Sequence, residues 1–388
     1  MKRITFLFFL ANFIILNAQT RIWNFENLNN AVKTPTEASK LIVKEADKML
    51  TKTITAVVDK KTTPPSGDKH DYLSQGRYWW PNPKTTDGLP YIRKDGVVNP
   101  EIEDFDRGAL SAMTRSVAVL SLAYKLTSEN KYAEKAVQNL RIWFMNKKTK
   151  MNPNMNYGQT IPGKYEGKGR GEGVLDTYSF VEMLDGVDLL NKSDEYTKKD
   201  RTAMKSWFTE YLNWLQTSEI AKEEFEAKNN HGTAYDVQIT RYALFVGNEV
   251  LAKQYINAFA ERRLFTQIQP DGSQPFELAR TTALGYSTFN LKHFLDMSYL
   301  AKSIGLDLYS STSTDGRSIS KAIEFLVPYI GKTVEDFPYK QIKDWDKVQK
   351  ELKWELYRAD QLTKLTNYKN VYFQLVNSSQ KDKNQLLY

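Results

Sequence analysis

A short polar segment in the second half of the chain, NNHGTAYD at residues 229–236, holds one of only three histidines. Asn230 offers an amide that can donate hydrogen bonds to an anion, and the adjacent His231 can carry a proton near neutral pH. The same residues also fit a structural role, because Asn229 or Asn230 can cap a helix that starts near Gly232. Spacing alone leaves this choice open.

A second segment with chemical potential is ELARTTALGY at residues 277–286. The guanidinium of Arg280 can hold a carboxylate through two parallel hydrogen bonds. The phenol of Tyr286 can donate or accept a proton where a nearby cation lowers its pKa. Taken singly, a loop arginine is usually solvated and a tyrosine at a helix start usually packs. Both gain a catalytic interpretation only if they meet Asn230 and His231 in space.

Aromatic and basic side chains that suit a sugar polymer are concentrated in three places. The segment GRYWWPNP at residues 76–83 provides flat rings for stacking on pyranose faces, although buried tryptophans also anchor loops. We expect one of its two tryptophans to face a cleft. The glycine-rich segment GKYEGKGRGEG at 163–173 is either a basic lid over an anionic chain or a mobile surface loop. The candidate substrate-binding residues are Arg77, Tyr78, Trp79, Trp80, His70, Arg170 and Tyr235.

The elements that must position these residues are predicted to be helices. Apolar residues recur at steps of three and four along 107–144, which indicates a pair of antiparallel helices. Similar amphipathic stretches occupy 176–191, 197–216, 232–246, 249–265, 287–304, 317–330 and 343–367. This pattern predicts an all-α chain of helical hairpins, as in a solenoid or a closed α/α toroid. Segments 61–103, 147–175 and 266–286 interrupt the pattern, so we expect the site there.

The N-terminus predicts export. Residues 1–19 combine Lys2 and Arg3 with an apolar run and a small residue at Ala18, which is typical of a cleaved secretory signal peptide. We therefore expect a periplasmic or secreted protein without a membrane anchor, and a single domain over residues 20–388. The chain has no cysteine, which excludes disulfides. Its net charge of +8 suits an acidic polymer as partner, but general solubility explains it equally well.

Several chemistries lack a motif in this sequence. There is no HExxH zinc motif, no cysteine–histidine metal set and no GxSxG nucleophile elbow, so we predict no metal and no cofactor. A phosphate-binding loop would need a strand before the glycine-rich segment, and the pattern predicts none there. We also predict no nucleic-acid partner. Two other classes stay open: a glycoside hydrolase that uses two carboxylates, and a polysaccharide-binding protein without turnover. Carboxylates available for the hydrolase are Asp71, Asp104, Glu172, Asp236 and Glu277. Oligomeric state cannot be read from the sequence.

Taken together, the segments GDKHDYLSQGRYWWPNP, NNHGTAYDVQ and ELARTTALGY resemble the alginate lyase superfamily of polysaccharide lyases. The likeness covers about residues 35–330. It is closest to the glucuronan and alginate lyases of polysaccharide lyase family thirty-eight, because Arg280 and Tyr286 are six residues apart and not seven as in family five. The resemblance implies an α/α toroid, an incomplete barrel of about six or seven helical hairpins.

The resemblance also implies β-elimination in a 1,4-linked uronic acid polymer, either glucuronan or alginate, which leaves a 4,5-unsaturated end. By position, Asn230 and Arg280 would neutralise the uronate carboxylate, and His231 and Tyr286 would handle protons. For a D-configured uronate, C5–H and O4 lie on one face, so Tyr286 could serve as base and then as acid. His231 would orient the carboxylate or Tyr286, or act as the base itself.

Overall fold

A computed structural model describes residues 21–363, 368, 371–372 and 382–388. The predicted signal peptide, residues 1–19, lies outside the described residues. None of the helices in the described part of the chain is both long and apolar enough to cross a membrane.

The described residues form fifteen α-helices, most of them at the positions that the apolar periodicity predicts. These are α1 Phe25–Lys33, α2 Glu37–Leu50, α3 Arg107–Thr127, α4 Asn130–Leu140, α5 Ser179–Leu190, α6 Lys198–Thr217, α7 Glu219–Glu226, α8 Asn230–Val246, α9 Glu249–Phe259, α10 Phe265–Gln267, α11 Pro275–Leu278, α12 Ala283–Ser303, α13 Ile319–Leu326, α14 Trp345–Thr363 and α15 Asn384–Leu387. The helical hairpin predicted over 107–144 is formed by α3 and α4, which pack against each other.

The helices form an inner and an outer layer. Helices α3, α5, α8, α12 and α14 contact one another in that order, while α2, α4, α6, α9 and α13 pack on their outside. Burial separates the two layers: α8 is buried at almost every position from Asn230 to Leu244, whereas α6 buries one stripe that includes Met204, Phe208 and Leu215. A helix that is buried on all sides belongs inside a protein, and an amphipathic one covers it. The predicted α/α toroid is confirmed.

The ends of the described chain complete the ring between α14 and α3. Helix α1 contacts both α3 and α15. The Asn24 amide donates to the Leu387 carbonyl at 2.6 Å, and the buried Asp185 carboxylate accepts the backbone amides of Ile22 and Trp23 at 2.9 and 2.8 Å. These hydrogen bonds fasten both ends of the described chain to inner helix α5.

Two of the three segments that interrupt the helical pattern contain short strands. Strand β1, Leu73–Gln75, pairs in parallel with β4, Tyr157–Thr160, and thereby joins the first segment to the second. Strand β2, Trp79–Trp80, pairs antiparallel with β3, Ile92–Arg93. Residues 171–178 form a 3₁₀ segment that packs on α7 and α8. The loops therefore lie against the start of the helix that carries Asn230 and His231.

Candidate active site

A cleft of about 870 Å³ lies between these loops and helices α8 and α12. It brings together all four residues that the sequence analysis assigned to catalysis, although they come from segments about 50 residues apart. The predicted site residues in its lining are Arg77, Tyr78, Trp79, Arg170, Asn230, His231, Arg280 and Tyr286.

Asn230 begins α8 and is fully buried. The cap of the helix is the preceding Asn229, whose side chain accepts a hydrogen bond from the His231 amide at 3.2 Å. Asn230 instead donates its side-chain amide to one oxygen of the Glu277 carboxylate at 2.8 Å, and its backbone amide to the other at 2.6 Å. The capping and the chemical interpretations of this segment thus apply to different asparagines.

His231 is held by a buried carboxylate from the preceding helix. Its Nδ1 lies 2.7 Å from Oε1 of Glu224, and the two side chains are 15% and 1% exposed. Burial opposes a positive charge on the ring, but the negative charge of Glu224 and its hydrogen bond outweigh burial and raise the pKa of His231. The Glu224 carboxylate therefore stabilises a positive charge on the ring and fixes Nδ1 toward itself, which leaves Nε2 for other partners.

Tyr286, near the start of α12, makes close contacts with two polar side chains. Arg280 donates from Nη2 to the phenolic oxygen at 2.7 Å, and the Tyr78 hydroxyl lies 3.0 Å from that of Tyr286. Burial and the neighbouring Tyr78 raise the pKa of Tyr286, and the positive charge of Arg280 offsets this only in part. The phenol is therefore protonated at neutral pH in the free protein.

Arg280 also ties a loop to the toroid. Its Nη2 and Nε bind the two oxygens of Asp95, just after β3, at 2.7 and 3.3 Å. Burial disfavours the charge on Asp95, but Arg280 overcomes this and holds the pKa of that carboxyl well below its usual range. Lys343 adds a second link by donating to the Gly96 carbonyl at 2.7 Å. The turn after β3 is thus fixed across the cleft beside Tyr286.

Of the two adjacent tryptophans, Trp79 lines the cleft and Trp80 does not. Two cations lie over the Trp79 ring, Lys164 at 4.6 Å and Arg170 at 5.8 Å from its centroid. Trp80 instead donates its indole N–H to the Val97 carbonyl at 3.0 Å. The expectation of one tryptophan facing the cleft agrees with this placement, but cations already stack on that ring.

Two predicted substrate-binding residues lie away from the cleft. His70 binds the Lys150 carbonyl through Nδ1 at 2.6 Å, which anchors its loop. Tyr235 is 2% exposed and donates to the Leu215 carbonyl at 2.7 Å, so it packs in the core. Trp80, His70 and Tyr235 therefore lie outside the cleft. Arg170 stays in the cleft, where it forms a salt bridge with Glu172.

Four charged residues of the site were not singled out for these roles by the sequence: Asp95, Arg107, Glu224 and Glu277. Glu277 lies within the ELART segment and appeared only as one of several spare carboxylates. Glu224 is seven residues before His231 and carries no motif. In the described residues, no cluster of three or more histidine, aspartate or glutamate side chains has the geometry to hold a metal ion.

The comparisons with known proteins assign this α/α toroid and its cleft to the class of polysaccharide lyases. The chain belongs to the alginate lyase family, whose model matches residues 56–337. Family membership decides for the lyase and against the hydrolase and the non-catalytic binding protein. Assignment to family thirty-eight stays a prediction.

Solved structures of alginate lyases are similar to this chain. The chain is 51% identical to an alginate lyase from Bacteroides ovatus, with 95% of this chain and 99% of that chain covered and a TM-score of 0.93. It also shares the fold of alginate lyase A1-III from Sphingomonas species A1, with 17% identity, coverage of 89% and 88%, and a TM-score of 0.58. A histidine-to-alanine variant of A1-III in complex with a tetrasaccharide gives 15% identity, coverage of 89% and 90%, and a TM-score of 0.59. A search of curated proteins found no match.

Proposed function

We propose that this enzyme cleaves a 1,4-linked polymer of D-uronic acids by β-elimination and leaves a 4,5-unsaturated uronate at the new end. Alginate rich in mannuronate is the first candidate substrate, because the family and the Bacteroides ovatus relative are alginate lyases. Glucuronan is the second, because Arg280 and Tyr286 are six residues apart. The observation that carries the proposal is the Tyr286 phenol, held 2.7 Å from Arg280 in a cleft shared with Asn230 and His231.

The first requirement of the reaction is to stabilise negative charge on the uronate carboxylate. Loss of the C5 proton pushes an electron pair toward a group that is already ionised, so the transition state needs fixed donors around it. We assign this role to the Asn230 amide, the protonated His231 ring and the Arg280 guanidinium. Each such donor typically contributes about 100- to 1000-fold in rate.

Asn230 and Arg280 are held in place by other residues and still have donors for a substrate. Only one of the two amide hydrogens of Asn230 is needed for its bond to Glu277. Arg280 uses Nε and Nη2 toward Asp95 and Tyr286, and no described hydrogen bond involves its Nη1. Donors fixed in advance do not have to reorganise during the reaction, which is the condition for effective charge stabilisation.

The second requirement is a proton acceptor for C5 and a proton donor for O4, and we assign both roles to Tyr286. The phenol first releases its own proton to solvent. The phenolate then takes the C5 proton, the C4–C5 double bond forms as the C4–O4 bond breaks, and the resulting phenol gives the proton to O4, which regenerates the phenolate. A raised pKa makes the phenolate a stronger base but lowers the fraction of molecules that carry it. Arg280 is the cation closest to that negative charge.

The test is a substrate panel of polymannuronate, polyguluronate and glucuronan, followed by the ultraviolet absorbance of the unsaturated product. We expect polymannuronate or glucuronan to be cleaved and Tyr286→Phe to lose about 100- to 10,000-fold in kcat, as for removal of a proton-transfer group. Tyr235→Phe is the matched control, since this buried tyrosine lies outside the cleft. Release of sugar fragments without the ultraviolet absorbance of an unsaturated end, or an active Tyr286→Phe variant, would overturn the proposal.

We further propose that residues 20–388 act as one exported catalytic domain. The support is the composition of residues 1–19, with a basic start and an apolar run. The mass and N-terminal sequence of the protein from periplasmic and culture fractions test this. Recovery of full-length protein from the cytoplasm alone would contradict it.

A further inference from the structure

Two arginines on the cleft wall, Arg77 and Arg107, have donors that are not paired. Arg77 Nε is buried and has no hydrogen-bond partner, and no described hydrogen bond involves the side chain of Arg77. Arg107 Nη1 is also buried without a hydrogen-bond partner, with Oδ1 of Asp176 at 3.5 Å as its nearest acid. A buried donor without a partner has lost its hydration without gaining a hydrogen bond.

The charge around this pair of arginines, Arg77 and Arg107, is also unbalanced. Burial and the nearby guanidinium of Arg107 lower the pKa of Arg77, which reports two like charges close together. The adjacent carboxylate, Asp176, is fully buried and already accepts hydrogen bonds from Tyr72 and Ser74 at 3.0 and 2.6 Å. One buried carboxylate therefore serves two guanidiniums in the lining of the cleft.

The arginine pair lies next to the proposed reaction centre. Arg77 precedes Tyr78 in the chain, and the Tyr78 hydroxyl is 3.0 Å from that of Tyr286. The Arg77 guanidinium lies 6.0 Å from the Tyr78 ring centroid. A polymer that extends along the cleft from Tyr286 past Tyr78 therefore reaches Arg77 and Arg107 with a neighbouring sugar.

The backbones of both arginines are held by the protein frame. Arg107 is the first residue of α3, and its side chain is 27% exposed. The backbone carbonyl of Arg77 accepts the Asn99 amide at 2.8 Å, which fixes the link between β1 and β2. Guanidiniums bind carboxylates through paired parallel hydrogen bonds, and two of them in a fixed position form a clamp for one carboxylate.

We propose that Arg77 and Arg107 bind the carboxylate of a second uronate, adjacent to the one that is cleaved. The enzyme would then require uronic acids at consecutive positions, and it would discriminate against polymers in which uronates alternate with neutral sugars. The inference rests on the proposed function, and it adds a specificity site that none of the four catalytic candidates supplies.

The variants for the test are Arg77→Gln, Arg107→Gln and the double variant, with Arg115→Gln as control. Arg115 lies on the same helix, is 70% exposed and pairs with Glu45, so its variant loses the same charge away from the cleft. We expect each cleft variant to raise KM for polymannuronate or glucuronan about 10- to 100-fold with kcat largely retained, as for loss of a charge-assisted bond. Arg77→Gln breaks no described hydrogen bond, so it should keep the thermal stability of the wild type.

A graded substrate series separates this site from the reaction centre. Partial reduction of carboxylates to alcohols at random positions leaves some uronates without a uronate neighbour. If two adjacent carboxylates are needed, reduction of half of them lowers wild-type kcat/KM about four-fold, whereas the double variant loses about two-fold. Equal dependence in both proteins, or unchanged KM in the cleft variants, would overturn the inference.

A binding measurement keeps the inference testable apart from the proposed function. In the Tyr286→Phe background, calorimetry with an oligouronate is expected to show binding that weakens at least about 10-fold when Arg77 and Arg107 become glutamine. Equal affinity would reject the second site even if the enzyme is a lyase. Activity of Tyr286→Phe would reject the assigned reaction centre, but the binding result would still decide whether Arg77 and Arg107 form a second uronate site.

Discussion

Replacing Glu224 with glutamine tests whether His231 works as a cation. Glutamine has nearly the same shape, and its carbonyl oxygen still accepts the hydrogen of Nδ1, so the ring keeps its orientation while the negative charge 2.7 Å away disappears. A hydrogen bond to a charged group contributes about 1.5–3 kcal/mol, and each 1.4 kcal/mol corresponds to ten-fold. The expected loss in kcat/KM at neutral pH is therefore about 10- to 100-fold.

The pH dependence makes this prediction specific. Glu224 raises the pKa of His231, so its removal lowers that pKa and reduces the fraction of protonated ring at neutral pH. The loss should be largest above the wild-type pKa of His231 and should close as the pH falls below both pKa values, where both proteins carry the imidazolium. Steady-state rates over a pH series measure this, with histidine proton resonances to follow the ring itself.

Two results would refute the reasoning. If the variant becomes more active than the wild type at low pH, His231 acts as a neutral base. If the two proteins have equal rates at every pH, the charge on the ring has no part in the reaction. Glu226→Gln is the matched control, because Glu226 is the last residue of α7, the helix that carries Glu224, and is exposed.

Two further predictions concern the frame of the site. A Cβ on Gly232, next to His231, would overlap the Ala227 carbonyl oxygen and the Arg263 guanidinium, so Gly232→Ala should lower both the melting temperature and kcat/KM. The control is Gly285→Ala in α12, which should be tolerated because the nearest atom to its new Cβ is 3.4 Å away. Equal melting temperatures for the two variants would contradict this prediction. Asp95→Asn should lower the free energy of unfolding at pH 7 by about 1–3 kcal/mol, because Asp95 loses its charged bond to Arg280. Since Arg280 depresses the pKa of Asp95, this stabilisation is present above the ordinary carboxyl pKa and is lost as the pH falls below it, so denaturant titrations should show the difference shrinking in acid and not staying constant.

The fold could be predicted because helices leave a local signal. Apolar residues at steps of three and four located α3, α6 and α12 to within a few residues, since the buried stripe of a helix repeats along the chain itself. Many helices joined by short connections indicate packed hairpins, as in a solenoid or a toroid, and the resemblance to the alginate lyases implied the toroid. The two small sheets have strands of only two to four residues, which are too short for alternation to show.

The sequence could propose site residues only where they share a motif. Asn230, His231, Arg280 and Tyr286 lie in segments with a recognisable order, and the structure brings them to one cleft. Their partners depend on contacts over long sequence separations, such as Asp95 with Arg280, and no local pattern reports those. The same holds for His70, whose surroundings decided between a loop anchor and a ligand.

The two arginine sites of the cleft differ in what happens when a polyanion arrives. Asp95 already neutralises Arg280. A uronate that binds Arg280 therefore replaces one carboxylate with another, and the local net charge hardly changes. Arg77 and Arg107 share only the buried Asp176, so a uronate there neutralises positive charge that salt would otherwise screen. The salt dependence of affinity should therefore come mainly from the second uronate, and the cleaved residue would be held by geometry more than by net charge.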